Sequence, residues 1–379
     1  MLPCLLVIVI LQLPLCAQAN KVAPPKQTAA DEQDPIKITT EEVRLPVLAV
    51  DEKGRFDVGL VPDDILLLED GVPQQVRSVR HIPSHVLLLL DTGGGDAVGR
   101  GGLSKSVSLT RRVAQEVVAT LTPDNLVAVV QTNNRVELLQ NWTADREAVQ
   151  KVLDTKLIGA KRSRFSEAVA FAAGIIKEQP EGSRHVVMIT DGVDTPGERS
   201  DRREATRQLI AARAVVHVIS YTEYVRQKED KSRNDVKSDR AAAARQSRQG
   251  IERAGIDPTM PPGQSRGGIG GGGIGGGIVF DPEMRRVRKA YEEEAKRSEQ
   301  NLSALAEETG ARLLLPKSTA EMIAGGREVA RDIGAQYVVA YTPKRPLAAA
   351  RAGEYRRIAL APRRIGLQMR TRRGYVVPE

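Results

Sequence analysis

The stretch HVLLLLDTGGGDAVG, residues 85–99, decides the fold class. Five consecutive apolar residues follow a histidine and run into Asp91. The run is too short for a helix and does not alternate with polar residues, which is the pattern of a strand buried on both faces. Strands buried in this way belong to parallel sheets covered by helices on either side. In an open sheet of that kind, ligands gather just beyond the carboxyl ends of the strands. Asp91 stands at such an end. The loop that follows runs through Gly93, Gly94 and Gly95, which have no side chain to offer a ligand.

Outward from this strand the rhythm of an α/β domain continues. SKSVSLTRRVAQEVVATL (104–121) places Val107, Val113, Val117, Val118 and Leu121 on one helical face. NLVAVVQT, RHVVMITDG and VVHVISY read as further strands, with helical segments ADREAVQKVLDTKL, SRFSEAVAFAAGIIKEQ and RSDRREATRQLIAARA between them. The alternation predicts a Rossmann-like parallel sheet flanked by helices. Aromatic residues make up only 3% of the chain, so aliphatic side chains must fill the core.

The two ends of the chain have a different character. Residues 37–83 alternate short β-type runs with Asp-Glu-Lys-Gly and Glu-Asp-Gly turns, and residues 344–379 again read as short strands and turns. The two segments are expected to meet as one small β accessory domain. Between them the α/β part is expected over 84–222 and 282–343, interrupted by a charged and glycine-rich insertion, 223–281, that cannot bury a core. Residues 20–36 read as a polar leader.

The first nineteen residues read as a signal peptide: an apolar run followed by Ala17-Gln18-Ala19, a small-x-small cleavage pattern. Export to the periplasm or outside the cell is therefore expected. A lipoprotein signal at Cys16 fits less well, because Leu15 stands where a small residue is wanted. Cys4 and Cys16 are the only cysteines, and both lie in this segment. Cleavage would leave no thiol nucleophile, disulfide or zinc–thiolate site. The net charge of +8 is spread along the chain without a dense basic block or a nucleic-acid motif, so nucleic acid is not an expected partner.

Two strands end in aspartate, Asp91 after VLLLL and Asp191 after VVMIT. Carboxylates brought together need a cation, a proton or other partners. A hard cation such as Mg2+ takes such oxygens together with hydroxyls and waters. DTGGG from Asp91, RSRFSEAV around Ser163 and TDGVDTPG around Asp191 resemble the metal-ion-dependent adhesion site of von Willebrand factor type A domains. With AVDEKGRFDVGLVPDDILLLEDGVPQQV upstream, and LSALAEETGARLLLP, AQYVVAYTP and RRGYVVPE downstream, the chain from about Glu41 to Glu379 is similar to exported bacterial VWFA-related proteins of the acidobacterial type. The resemblance implies a type A fold and a protein–protein interaction role in the cell envelope or outside the cell. In metal-dependent members an acidic residue of the partner completes the ion's coordination. Gly93 and Gly95 stand where that motif has its two serines, so the resemblance implies a degenerate site. Asp91, Ser163 and Asp191 remain as metal ligands, with Mg2+ bound weakly or not at all.

Other chemistry finds little support. The glycine-rich loop lacks the Gly-Lys-Ser/Thr of a phosphate-binding loop, and Asp91 would repel an anion. There is no His-Glu-x-x-His, and His85, His185 and His217 fall at or in strands. No catalytic residue is expected. The alternatives are a Mg2+-dependent adhesion protein using Asp91, Ser163 and Asp191 and, more remotely, a hydrolase or nucleotide-binding enzyme.

Overall fold

In a computed structural model the chain is described over residues 41–94, 105–195, 201–228 and 282–377, with single positions at 231 and 238. The signal peptide and leader expected over 1–36, Gly95, Asp96 and nearly all of the insertion 223–281 lie outside the described residues.

A six-stranded sheet forms the centre of the α/β part, in the order β10-β9-β8-β5-β6-β7. Its members are β5 (His85–Asp91), β6 (Leu126–Thr132), β7 (Val136–Thr143), β8 (Arg184–Thr190), β9 (Val215–Ser220) and β10 (Leu313–Leu314). All neighbours are parallel except the edge strand β7, which returns antiparallel to β6. Strand alternation sorts the core into two layers. Val86, Leu88 and Leu90 of β5 face α1 (Val107–Thr120), α2 (Arg146–Lys156) and α6 (Thr319–Gly334). Leu87 and Leu89 face α3 (Phe165–Ile176), α4 (Arg202–Ala211) and α5 (Pro282–Glu308). The expected helical face of α1 is the one that packs: Val113, Val117 and Val118 are buried, and Val107 is partly so. Residues 222–228 are also helical, and they begin the segment expected to be insertion.

The chain ends meet as expected. β1 (Val43–Val50) pairs with β13 (Gln368–Thr371), and β2 (Ile65–Glu69) pairs with β12 (Tyr355–Pro362). One small sheet runs β13-β1-β11-β4 and the other β14-β12-β2-β3, with β3 (Val72–Gln74), β4 (Val76–Arg80) and β14 (Gly374–Val376) completing them. Their inner faces share an apolar core that includes Leu45, Val47, Leu67, Val339 and Ile358. One element changes sides. β11 (Gln336–Tyr341), expected with the α/β part over 282–343, pairs antiparallel with β1 and β4 instead. Its continuous apolar run suits either sheet. Tyr337, Val339 and Tyr341 pack into the accessory core. The connection from α6 is a single residue, Ala335, which swings the chain directly out of the α/β layers.

A buried ion pair ties these ends together. Arg356 of β12 is fully buried and donates to Glu69 Oε1 at 2.8 Å, to the Arg345 carbonyl at 2.8 Å and to the Pro346 carbonyl at 3.0 Å. Glu69 also accepts hydrogen bonds from the Tyr341 and Tyr375 hydroxyls. Breaking such a pair leaves an uncompensated buried charge, whereas replacing both partners with apolar groups of similar volume is close to neutral. Arg356→Met alone is therefore expected to cost about 3–5 kcal/mol in urea unfolding, and the Arg356→Met/Glu69→Leu double variant to recover most of it.

His185 and His217 lie in adjacent strands, each about 1% exposed, with their rings stacked at 5.7 Å and Nδ1 of one 3.4 Å from Nε2 of the other. Burial, the neighbouring Arg370 and then Arg312 push the His217 pKa down to about 3. Burial, with His217 and His85 nearby, holds His185 well below the ordinary value as well. Both side chains are neutral in the fold but take up protons in the unfolded chain once the pH drops below about 6.5. Their contribution is thus complete above about pH 6.5 and is lost as the pH falls toward 3. At pH 5 the loss amounts to roughly 2 kcal/mol for His217. The melting temperature is expected to fall between pH 7 and pH 5, with a shallower slope for His217→Phe.

Candidate functional site

The sheet reverses its direction of growth at β5. From β5 the chain builds outward to β6 and β7 on one side, then returns across β5 to lay down β8 and β9 on the other. The crevice beyond the carboxyl ends of β5 and β8 is therefore the topological switch point, where α/β sheets hold their ligands. Asp91 is the last residue of β5, and Asp191 directly follows β8. Parallel pairing of these neighbours, with Leu90 opposite Ile189, brings the two carboxylates to one place. Asp91, Ser163 and Asp191 converge here, each no more than 2% exposed.

Every carboxylate oxygen in the pair accepts a hydrogen bond from the chain. Asp91 Oδ1 accepts from Ser163 Oγ at 3.0 Å and the Gly93 amide at 3.2 Å. Asp91 Oδ2 accepts from Thr190 Oγ1 at 2.7 Å and Lys105 Nζ at 2.5 Å. Asp191 Oδ1 accepts from the same Lys105 Nζ at 2.7 Å and from the Val193 amide at 3.1 Å, and its Oδ2 accepts from the Tyr291 hydroxyl at 2.7 Å. Ser298 Oγ donates to the Asp191 carbonyl at 2.8 Å. Tyr291 and Ser298 both stand on α5, which thereby closes one side of the site.

Lys105 is the residue that the sequence did not point to. It precedes α1, whose N-cap is Ser106, and its side chain is 4% exposed. Burial disfavours the ammonium charge, but the carboxylates of Asp191 and Asp91 outweigh it and hold the lysine pKa above its ordinary value. Burial in turn pushes the Asp91 carboxyl upward, against the pull of Lys105. The geometry is that of a charged lysine, since two carboxylates at 2.5 and 2.7 Å leave a neutral amine nothing to gain. In sequence Lys105 is one charged residue among 56 Lys and Arg, and no motif spacing links it to Asp91 or Asp191.

The glycine at the first expected serine position is also fixed by the structure. A Cβ on Gly93 would lie 1.9 Å from the Arg162 carbonyl oxygen and 2.7 Å from Ser163 Cα, both backbone atoms. The loop that carries Ser163 has moved into the space a serine side chain would need. Gly192, after Asp191, has a φ of 67°, and a Cβ there would meet Ser298 Oγ at 2.2 Å, so α5 approaches as closely as it does only over glycine. Asp194 stands apart from the pair. It accepts from the Ser166 amide at 2.9 Å at the start of α3 and from Arg202 at 3.1 Å, and Arg202 also reaches Glu294 on α5.

These donors do not fit a divalent cation. Hydroxyl ligation at Gly93 is sterically excluded, Ser163 Oγ is directed at Asp91, and the space between the carboxylates holds an ammonium. Among the described residues, no three His, Cys, Asp or Glu side chains gather as a metal-holding group.

Residues 86–193 match the family profile of the von Willebrand factor type A domain, in agreement with the mostly parallel sheet and its helices. Solved structures with similarity include BatB from Bacteroides thetaiotaomicron, 20% identical over 36% of this chain and 66% of that one, with a TM-score of 0.29. An aerotolerance-related membrane protein from Bacteroides fragilis is 19% identical over 36% of this chain and 67% of that one, with a TM-score of 0.30. A von Willebrand factor type A protein from Catenulispora acidiphila is 13% identical over 48% of this chain and 42% of that one, with a TM-score of 0.32. The chain thus spans about two thirds or less of the length of these proteins. No curated protein matches the sequence.

Restoring the first serine of the motif is expected to damage the fold rather than create a ligand. Gly93→Ser should cost about 3 kcal/mol or more, because the atoms it strikes belong to the backbone and cannot rotate away. Thermal unfolding of Gly93→Ser with and without millimolar Mg2+ checks this: a lower melting temperature is expected in both, with no recovery by the ion.

Proposed function

We propose that this chain is an exported protein–protein interaction module whose type A domain engages its partner without a bound divalent cation and without catalysis. Type A domains commonly mediate protein interactions, and the type A match covers the part of the chain that carries the acidic pair. The observation that carries the metal-free reading is the ammonium of Lys105 set between Asp91 and Asp191. Charge that a divalent ion would balance elsewhere is met from within the chain. A non-enzymatic role is supported by the same bonds. Both carboxylates are spent on internal partners, and neither is presented to solvent as a base. Export is supported by the apolar segment and small-x-small pattern of residues 1–19. Among the described residues no helix is long and apolar enough to cross a membrane.

Affinity capture from a bacterial envelope extract, with the tagged chain as bait and with either chelator or Mg2+ present, tests the reading. The same partner is expected in both arms, in equal yield. Capture that disappears with chelator and returns with Mg2+ would favour the Mg2+-dependent adhesion reading through Asp91, Ser163 and Asp191.

A further inference from the structure

We infer that Lys105 is a built-in cation: its ammonium stands in the seat of a divalent ion, and its removal uncovers a divalent-cation site on Asp91, Asp191 and Ser163. The inference rests on the metal-free reading above and goes further, because it assigns the lysine a role and the seat a latent ligand.

The first argument is electrostatic. Asp91 and Asp191 are 0% and 2% exposed, and the register of β5 and β8 forces them together. Two buried carboxylates at one point repel each other, and each has lost its hydration, so a positive charge must lie between them or one must protonate. Lys105 Nζ supplies the charge, 2.5 Å from one carboxylate and 2.7 Å from the other. Hydroxyl and amide donors alone would leave the repulsion uncompensated.

The second argument is geometric. The other oxygens around the seat are already oriented by neighbours. Thr190 and Ser163 fix the two oxygens of Asp91, and the Val193 amide and Tyr291 fix those of Asp191. Removing the lysine side chain leaves a space faced by one oxygen from each carboxylate, with the Ser163 hydroxyl bonded to Asp91 close by. A small hard cation accepts two carboxylates and a hydroxyl and fills its remaining positions with water. The lysine does not imitate the ion in one respect. A divalent ion has further positions to offer to a partner's carboxylate. The Lys105 ammonium spends two of its three N–H donors on the carboxylates and its side chain is only 4% exposed, so it is not presented at the protein surface. The seat therefore works as an internal joint, which fastens the segment before α1 and the helix α5 to the ends of β5 and β8.

Lys105→Ala and Lys105→Met separate charge from space. The probe is Mn2+ at millimolar concentration, read by the melting temperature of the purified chain and by titration of the ion's electron paramagnetic resonance signal. The wild-type chain is expected to show no shift and no bound ion. Lys105→Ala is expected to melt lower than wild type and to recover several degrees with Mn2+, while Lys105→Ala/Asp91→Asn does not recover. Lys105→Met melts lower and stays unresponsive, because its side chain fills the seat without charge. If Lys105→Ala is recovered only as aggregate, refolding with and without Mn2+ gives the same reading, with soluble folded protein expected only with the ion. A Lys105→Ala chain that neither binds Mn2+ nor gains stability from it overturns the inference and leaves the proposed function standing. Mn2+ binding by the wild-type chain overturns the metal-free reading itself. In the wild-type chain, acetylation by an activated ester followed by mass spectrometry gives an independent check. Lys105 is expected to stay unmodified while exposed lysines such as Lys289 react, and rapid labelling of Lys105 would overturn its placement.

Discussion

Two aspartates at the ends of adjacent parallel strands set the terms for everything around them. Register leaves them no room to separate, and burial leaves them no water. The opposing charge has to come from somewhere, and in this chain it comes from Lys105. Once the ammonium is in place, several segments are anchored together. The residues before α1 are drawn onto the sheet, the Ser163 loop closes over Asp91, and α5 is held through Tyr291 and Ser298. The glycine at position 93 belongs to the same constraint, since the Ser163 loop reaches Asp91 only by occupying the space of the missing side chain.

The same logic recurs in the accessory sheets on a different pair of charges. Glu69 and Arg356, 287 residues apart, are both buried and bond to each other, to two tyrosine hydroxyls and to two carbonyls, with Glu354 3.5 Å from Arg356 Nε. A buried pair of this kind adds little to stability against an apolar alternative, but it is costly to break. It therefore specifies which segments meet. Each joint closes a long loop of chain, Lys105 meeting Asp191 86 residues on and Glu69 meeting Arg356 287 residues on.

For recognition, the buried pair bears on what the α/β part offers at its sheet ends. A divalent ion would present a vacant coordination position there. A lysine between two carboxylates presents a completed network. On the proposed metal-free reading, a partner contacting this end of the sheet meets α5 and the neighbouring loops rather than the acidic pair.

The sequence by itself determined the α/β class, the meeting of the chain ends and the two aspartates. Each of these is written in local pattern: continuous apolar runs for buried strands, helical spacing for α1, and a carboxylate at each strand end. It also showed that Gly93 lacks the hydroxyl of the metal motif, although it did not show that no hydroxyl would fit. The assignment of β11 was open at this level, because a short apolar strand fits a parallel or an antiparallel sheet equally well, and the one-residue connection after α6 sent it to the accessory side. Lys105, Thr190 and Tyr291 were decided only by the tertiary structure. A lysine in a charged, polar stretch carries no sign of being buried, and a tyrosine 100 residues from its aspartate has no spacing to betray it. Their roles arise where the switch point of the sheet, the start of α1 and the first half of α5 converge, and the charge balance of a buried site is a property of that convergence.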